Sequence, residues 1–188
     1  MLHSTTARCL ALAWLAGLLA MSLPNAAMAA EPPQEGDELP ELVFVASDRP
    51  EDADYLGLPD TETFTLAEAD YEILLLEIIG VYCPYCHEQA PLFNDLAQRI
   101  ERAGLDGQVK LIAVASGATP EELAYVRDYS AYIYPLFRDQ DYSLHQQLGE
   151  PQTPFTLLVN RQGEVIYTHM GVVEDIDALF NRIKESAE

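Results

Sequence analysis

The sequence predicts an α/β fold of three layers: a central mixed sheet flanked by helices, with an N-terminal extension. Three observations carry that reading. Tyr71 to Gly80 and Val109 to Ala115 are near-continuous apolar runs, the pattern of strands buried on both faces. Each is followed by a helical pattern, and such alternation makes the strands parallel. Phe155 to Asn160 and Glu164 to His169 flank Arg161-Gln-Gly163 as a hairpin, which adds an antiparallel edge.

The helices are legible from spacing and end signals. From Pro84, apolar residues recur at Leu92, Phe93, Leu96, Ile100 and Ala103 until Gly104 stops the helix; Pro91 lies inside and should kink it. Thr119 is placed to cap a helix over Glu121 to Tyr129, with Pro120 at its first position. Pro135 to Phe137 reads as a short extended piece and Asp141 to Leu148 as a short helix ending at Gly149. The final helix, Val173 to Glu185, carries Ile176, Leu179, Phe180 and Ile183 on one face. Nearer the N-terminus, Leu42 to Ala46 and Thr63 to Leu66 read as short strands. Between them, Ser47 to Thr61 reads as loop, interrupted by Pro50 and Pro59 and rich in acids.

Residues 1–30 are unlike the rest. Arg8, an apolar run from Cys9 to Leu23 and the small residues Ala27-Met28-Ala29 form the pattern of a cleaved signal peptide. The alternative is an uncleaved membrane anchor, but the run is short beside the roughly 20 apolar residues of a membrane span, so cleavage is expected, and with it no stable membrane insertion. Residues 31–41, polar and proline-rich, read as a flexible leader. Removing the signal takes away Cys9 and Arg8. Nine basic residues then face 31 acidic ones, a net charge of −22. Such a surface repels nucleic acid and anionic lipid, which excludes both as partners.

Cys83 and Cys86 are the two cysteines left, at the junction between the apolar run and the helix that follows. In an oxidising compartment cysteine pairs usually staple structure. A bridge that closes only two intervening residues removes little denatured-state entropy, so the position argues for redox work instead. A cysteine at the first turn of a helix meets unpaired backbone N–H groups and the positive end of the helix dipole, both of which favour thiolate. Cys83 is therefore the expected nucleophile. Cys86, nearly a turn later, is placed to resolve the mixed disulfide, and Pro84 suits the first helical position. No cofactor beyond the Cys83–Cys86 disulfide and no metal is implied. The alternative is a soft copper site, as in a copper-binding chaperone, using both cysteines and His87. Zinc would want a second Cys-x-x-Cys, which the chain lacks. Glu77 interrupts the apolar run. Buried, its carboxyl would hold its proton more tightly and could accept the Cys86 proton during exchange; the alternative places it at a solvated sheet edge.

In this order the residues resemble the thioredoxin superfamily: Glu77 six before the first cysteine, Tyr82 beside it, Cys83-Pro-Tyr-Cys86, Pro91 eight further on, Thr153-Pro154-Phe155 opening a strand, the hairpin at Arg161-Gln-Gly163-Glu164, and Gly171. The resemblance covers roughly residues 72–185 and implies a division into signal peptide (1–30), leader and N-terminal extension (31–61) and thioredoxin-like domain (62–188). The export signal and the extension look most like the TlpA-like branch of extracytoplasmic thiol–disulfide oxidoreductases. That likeness implies a periplasmic or otherwise extracytoplasmic enzyme, most simply a reductase, with oxidase or isomerase action left open. It further implies protein thiol or disulfide substrates and a membrane electron-transfer partner. It places a cis-Pro154 beside Cys83, and a substrate groove formed by Tyr82, Pro84, Tyr85 and the backbone of Thr153. Three residues depart from the common pattern: Tyr82 replaces Trp, Pro-Tyr is the glutaredoxin dipeptide, and Glu77 stands where thioredoxins commonly have Asp. Gly80 stands where peroxiredoxins have Thr, which sets that family aside.

Overall fold

The computed structural model describes residues 31–187, so the expected signal peptide lies outside the described residues. Its centre is strand β3. In chain order the strands are β1 (Val43–Val45), β2 (Thr63–Thr65), β3 (Ile73–Gly80), β4 (Val109–Ser116), β5 (Leu136–Asp139), β6 (Phe155–Asn160) and β7 (Val165–Met170). The main sheet has the order β5-β4-β3-β6-β7, with β3 parallel to β4 and antiparallel to β6. A strand in that position cannot alternate apolar and polar residues, because both of its faces meet a core. Ile73, Leu75 and Ile79 point to one core, shared with Phe93, Ile100, Leu179 and Ile183. Leu74, Leu76 and Ile78 point to the other, shared with Phe44, Phe64 and Phe137.

The helices are α1 (Pro50–Leu56), α2 (Pro84–Arg102), α3 (Pro120–Ser130), α4 (Ser143–Gln147) and α5 (Ile176–Ser186). Helix α2 buries Cys86, Ala90, Phe93, Leu96 and Ile100 along one stripe, and the chain stays helical through Pro91. At the start of α3, the Thr119 hydroxyl accepts from Glu122 N–H (3.3 Å), and the Glu122 carboxylate accepts from Thr119 N–H (3.0 Å), a reciprocal cap.

Two readings near the N-terminus are corrected. The stretch Ser47 to Thr61 is not all loop, because it contains α1. Pro50 starts that helix rather than breaking one: its ring presets φ, and the N–H it lacks would have no helical partner there. Glu51 and Asp52 occupy the first turn, where acids suit the dipole, and Gly57 closes the helix in the left-handed region (φ 66°). The polar stretch read as a flexible leader is hydrogen-bonded along the β6–β7 hairpin. Gly36 N–H donates to Val165 O (2.8 Å), Val165 N–H to Asp37 O (2.9 Å), and Leu39 N–H to Gly163 O (2.8 Å).

Strands β1 and β2 pair antiparallel and form a separate two-stranded sheet over the second core. Phe44 of β1 is fully buried, stacked on Phe64 at 5.1 Å and edge-on to Phe137 at 6.0 Å. Phe44→Ala should therefore cost about 3–5 kcal/mol, as other buried aromatic truncations do. Urea unfolding measures this; a loss below about 1 kcal/mol would show that the extension does not complete the core.

Candidate active site

Strand β3 ends at Gly80, and three residues later Cys83 occupies the N-cap of α2 in an extended conformation (φ −80°, ψ 112°). Its sulfur does what a serine or aspartate oxygen does at other caps: Cys83 Sγ accepts from the N–H of Cys86 at 3.2 Å. Pro84 follows at the first helical position. The Cys83 thiol also donates to the carbonyl of Thr153 at 3.4 Å, and the Thr153–Pro154 bond is cis. Gly171 N–H donates to Pro154 O at 2.8 Å, tying this loop to the end of β7. Gly80 lies where the two halves of the site meet. A Cβ there would stand 3.3 Å from Thr153 Oγ1 and 3.4 Å from the Cys83 Cβ.

The two cysteines are free thiols in different surroundings, Cys83 partly exposed and Cys86 buried. Burial pushes the Cys86 thiol far above its ordinary range, and the neighbouring Cys83 adds to the effect. Tyr82 and Tyr85 stand exposed beside the pair, and the Tyr82 hydroxyl donates to Glu122 Oε1 at 2.8 Å.

Glu77 is fully buried beneath this turn, at the centre of β3, paired with Ala113 on one side and Thr156 on the other. The solvated-edge alternative is thus overturned, because neither edge of β3 is free. Glu77 Oε1 accepts from Gln89 Nε2 (2.8 Å) and Oε2 accepts from the Tyr134 hydroxyl (3.0 Å); neither oxygen bonds a cysteine directly. Burial raises the carboxyl to about 7, outweighing both hydrogen bonds, which favour the charged form.

Three residues of the site went unread in the sequence. Gln89 is fully buried; besides Glu77 it donates to Thr156 Oγ1 (3.4 Å), and its Oε1 accepts from Val173 N–H (2.8 Å). Its signal was available: a polar residue three after Cys86 and four before Phe93 falls on the buried stripe of α2. Tyr134 and Tyr132, in the segment between α3 and β5, gave no such signal. Their rings meet edge-on at 5.3 Å, and the buried Tyr132 hydroxyl has no hydrogen-bond partner among the described residues. Burial and the negative charges of Glu77, Cys86 and Cys83 all hold it protonated.

The histidine of the copper alternative is engaged elsewhere: His87 Nδ1 meets Ser130 Oγ at 2.7 Å and its ring meets Tyr129 at 5.0 Å. Among the described residues no three His, Cys, Asp or Glu side chains are grouped to hold a metal ion.

Comparison with known proteins agrees with this architecture. The family model described as Redoxin matches residues 34–182. A thiol-disulfide oxidoreductase ResA of Halalkalibacterium halodurans is 29% identical over 112 residues, covering 58% of this chain and 60% of that one. The match thus spans less than two thirds of that relative. Among solved structures, a putative thiol:disulfide interchange protein DsbE from Chlorobium tepidum aligns with a TM-score of 0.64 at 17% identity, over 82% of this chain and 99% of the other. StoA from Bacillus subtilis aligns with a TM-score of 0.57 at 16% identity, over 77% and 98%. The fold is the thioredoxin-like one that the sequence predicts.

A buried carboxyl with a raised pKa makes stability depend on pH. Between about 4.5 and about 7 the folded state keeps the Glu77 proton while the unfolded chain has lost it, so stability falls as pH rises through that window. The loss saturates above about 7 at roughly 3 kcal/mol. Glu77→Gln should therefore gain about that much on the wild type between pH 4.5 and pH 8, measured by guanidinium unfolding of the reduced proteins. A difference that stays constant with pH would contradict the assignment.

Proposed function

The chain belongs to the Redoxin family, and from that premise we propose that it is an exported thiol–disulfide oxidoreductase working through Cys83 and Cys86. The observation that carries the reading is the asymmetric pair itself: Cys83 caps α2 where solvent reaches it, with buried Cys86 directly behind. In the reductive direction the Cys83 thiolate attacks one sulfur of a substrate disulfide. A mixed disulfide forms, and the first substrate sulfur leaves as thiolate. Cys86 then gives up its proton and attacks Cys83 Sγ; the second substrate thiolate leaves and the Cys83–Cys86 disulfide remains. Two electrons pass to the substrate, and its two thiolates take up two protons.

The deprotonation of Cys86 is the difficult step, because burial opposes its charge. Glu77 is suited to receive that proton. Its carboxyl titrates near neutrality, so it is a competent acceptor at working pH and a competent donor on the return. The Thr153 carbonyl, 3.4 Å from Cys83 Sγ, offers backbone pairing to an extended substrate segment at the reacting sulfur. Pro154, Tyr82, Pro84 and Tyr85 flank that position. The signal pattern supports an extracytoplasmic location, and such a location supports protein substrates and a membrane-bound dithiol that restores the reduced state. Reduction is the direction favoured here because the residue pattern resembles the TlpA-like branch, which includes many exported reductants.

Cys83→Ser should abolish reduction of insulin disulfides. Cys86→Ser should stall after the first step as a covalent adduct, seen by mass spectrometry and released by dithiothreitol. Sustained turnover by Cys86→Ser would remove Cys86 from the mechanism. The Cys83–Cys86 couple should lie near the thioredoxin value of about −270 mV, measured by equilibration with glutathione or dithiothreitol. A value near −120 mV would make the protein an oxidant.

A further inference from the structure

Four tyrosines stand exposed around the cysteine pair: Tyr82 (74% exposed), Tyr85 (63%), Tyr125 (50%) and Tyr129 (64%). Most of them are linked. The Tyr82 hydroxyl donates to Glu122 Oε1 at 2.8 Å; Tyr125 and Tyr129 stack at 5.5 Å; Tyr129 meets His87 edge-on at 5.0 Å. Glu122, Tyr125 and Tyr129 fall on one stripe of α3, about 10 Å long at 1.5 Å per residue. The stripe begins beside Tyr82, the neighbour of the nucleophile, and returns to α2 at His87, four residues after Cys83. The result is a solvent-facing aromatic platform that starts at Tyr82, next to Cys83 in the chain. None of these four rings fills either core.

Its charge is one-sided. Glu88, Glu121 and Asp128 are exposed around it. No Lys or Arg occurs between Tyr82 and Gln98. Arg127 is the one basic residue between Gly117 and Ile133, and its guanidinium is turned to the carbonyl of Leu136 at 3.2 Å. Exposed ring faces beside carboxylates suit a cation: the ring quadrupole attracts it, and the acids steer it in. An acidic segment would be repelled by the same groups.

We propose that this platform docks a cationic, extended segment of the substrate protein, with Lys or Arg side chains within about four residues of the cysteine that reacts. The distance follows from the geometry. An extended chain advances about 3.3 Å per residue, so three or four residues reach from the nucleophile along the stripe. The inference rests on the oxidoreductase reading above and adds the substrate's chemical class to it.

The test uses the reduced full-length mature protein and three disulfide peptides that differ only in flanking residues: Lys, Gln or Glu. Second-order reduction rates should rank Lys above Gln above Glu, with Lys over Glu by about tenfold at low ionic strength and less in high salt. In Tyr125→Ala/Tyr129→Ala the Lys-to-Glu ratio should fall at least about threefold. The melting temperature should hold, since both rings are exposed. Equal rates for the Lys and Glu peptides overturn the proposal. So does an unchanged ratio in the double variant, since overall charge alone would then set the preference. If no peptide is reduced at all, the reductase reading falls and this inference falls with it.

Discussion

Strand β3 has hydrogen-bonded neighbours on both edges and a core on each face. Seven of its eight residues are buried, and Glu77 is one of them. That constraint decides the chemistry. A carboxyl that cannot reach water must find its partners within the protein or give up its charge. Glu77 does some of each: two donors satisfy its oxygens, and its proton is held up to neutrality. On an edge strand the same residue would be an ordinary surface acid, and the site would lose its buried carboxyl.

The partners come from distant parts of the chain, so the network also locks the layers together. Gln89 belongs to α2, Tyr134 to the approach to β5, Thr156 to β6 and Val173 to the approach to α5. Gln89 joins two of these and Glu77 through one amide, its donor side to Glu77 and Thr156 and its acceptor to the Val173 backbone. Removing one member would strand a buried polar group, which typically costs more than a hydrogen bond contributes.

How much of this could be read from the sequence depended on the range of the interactions. Short-range chemistry was legible: the cap at Thr119, the double burial of β3 and β4, the hairpin around Gly163, and a cysteine at the start of α2. Glu77 was visible because a charge inside an apolar run is anomalous by itself. Its donors were harder. Tyr134 is 57 residues away, and nothing local marks it as a partner of anything. Pro50 was misread because proline punctuates chains in two senses, and only the acids after it and Gly57 beyond tell a start from a stop. The pinning of residues 36–39 to the hairpin was hidden for the same reason as Tyr134, since backbone pairing across such a distance leaves no mark on composition.

Gly80 looks like an incidental end to β3, yet it is the thinnest part of the site. With a side chain there, the Thr153 hydroxyl would be in tight contact with it at 3.3 Å and the Cys83 Cβ would touch it at 3.4 Å. The gap between Cys83 and the Thr153 loop is therefore set by an omission, one methyl group left out. Any larger residue would act as a wedge, pressing first on the Thr153 hydroxyl, in the residue whose carbonyl accepts from the Cys83 sulfur, while both cysteines and their helix stay in sequence as they are.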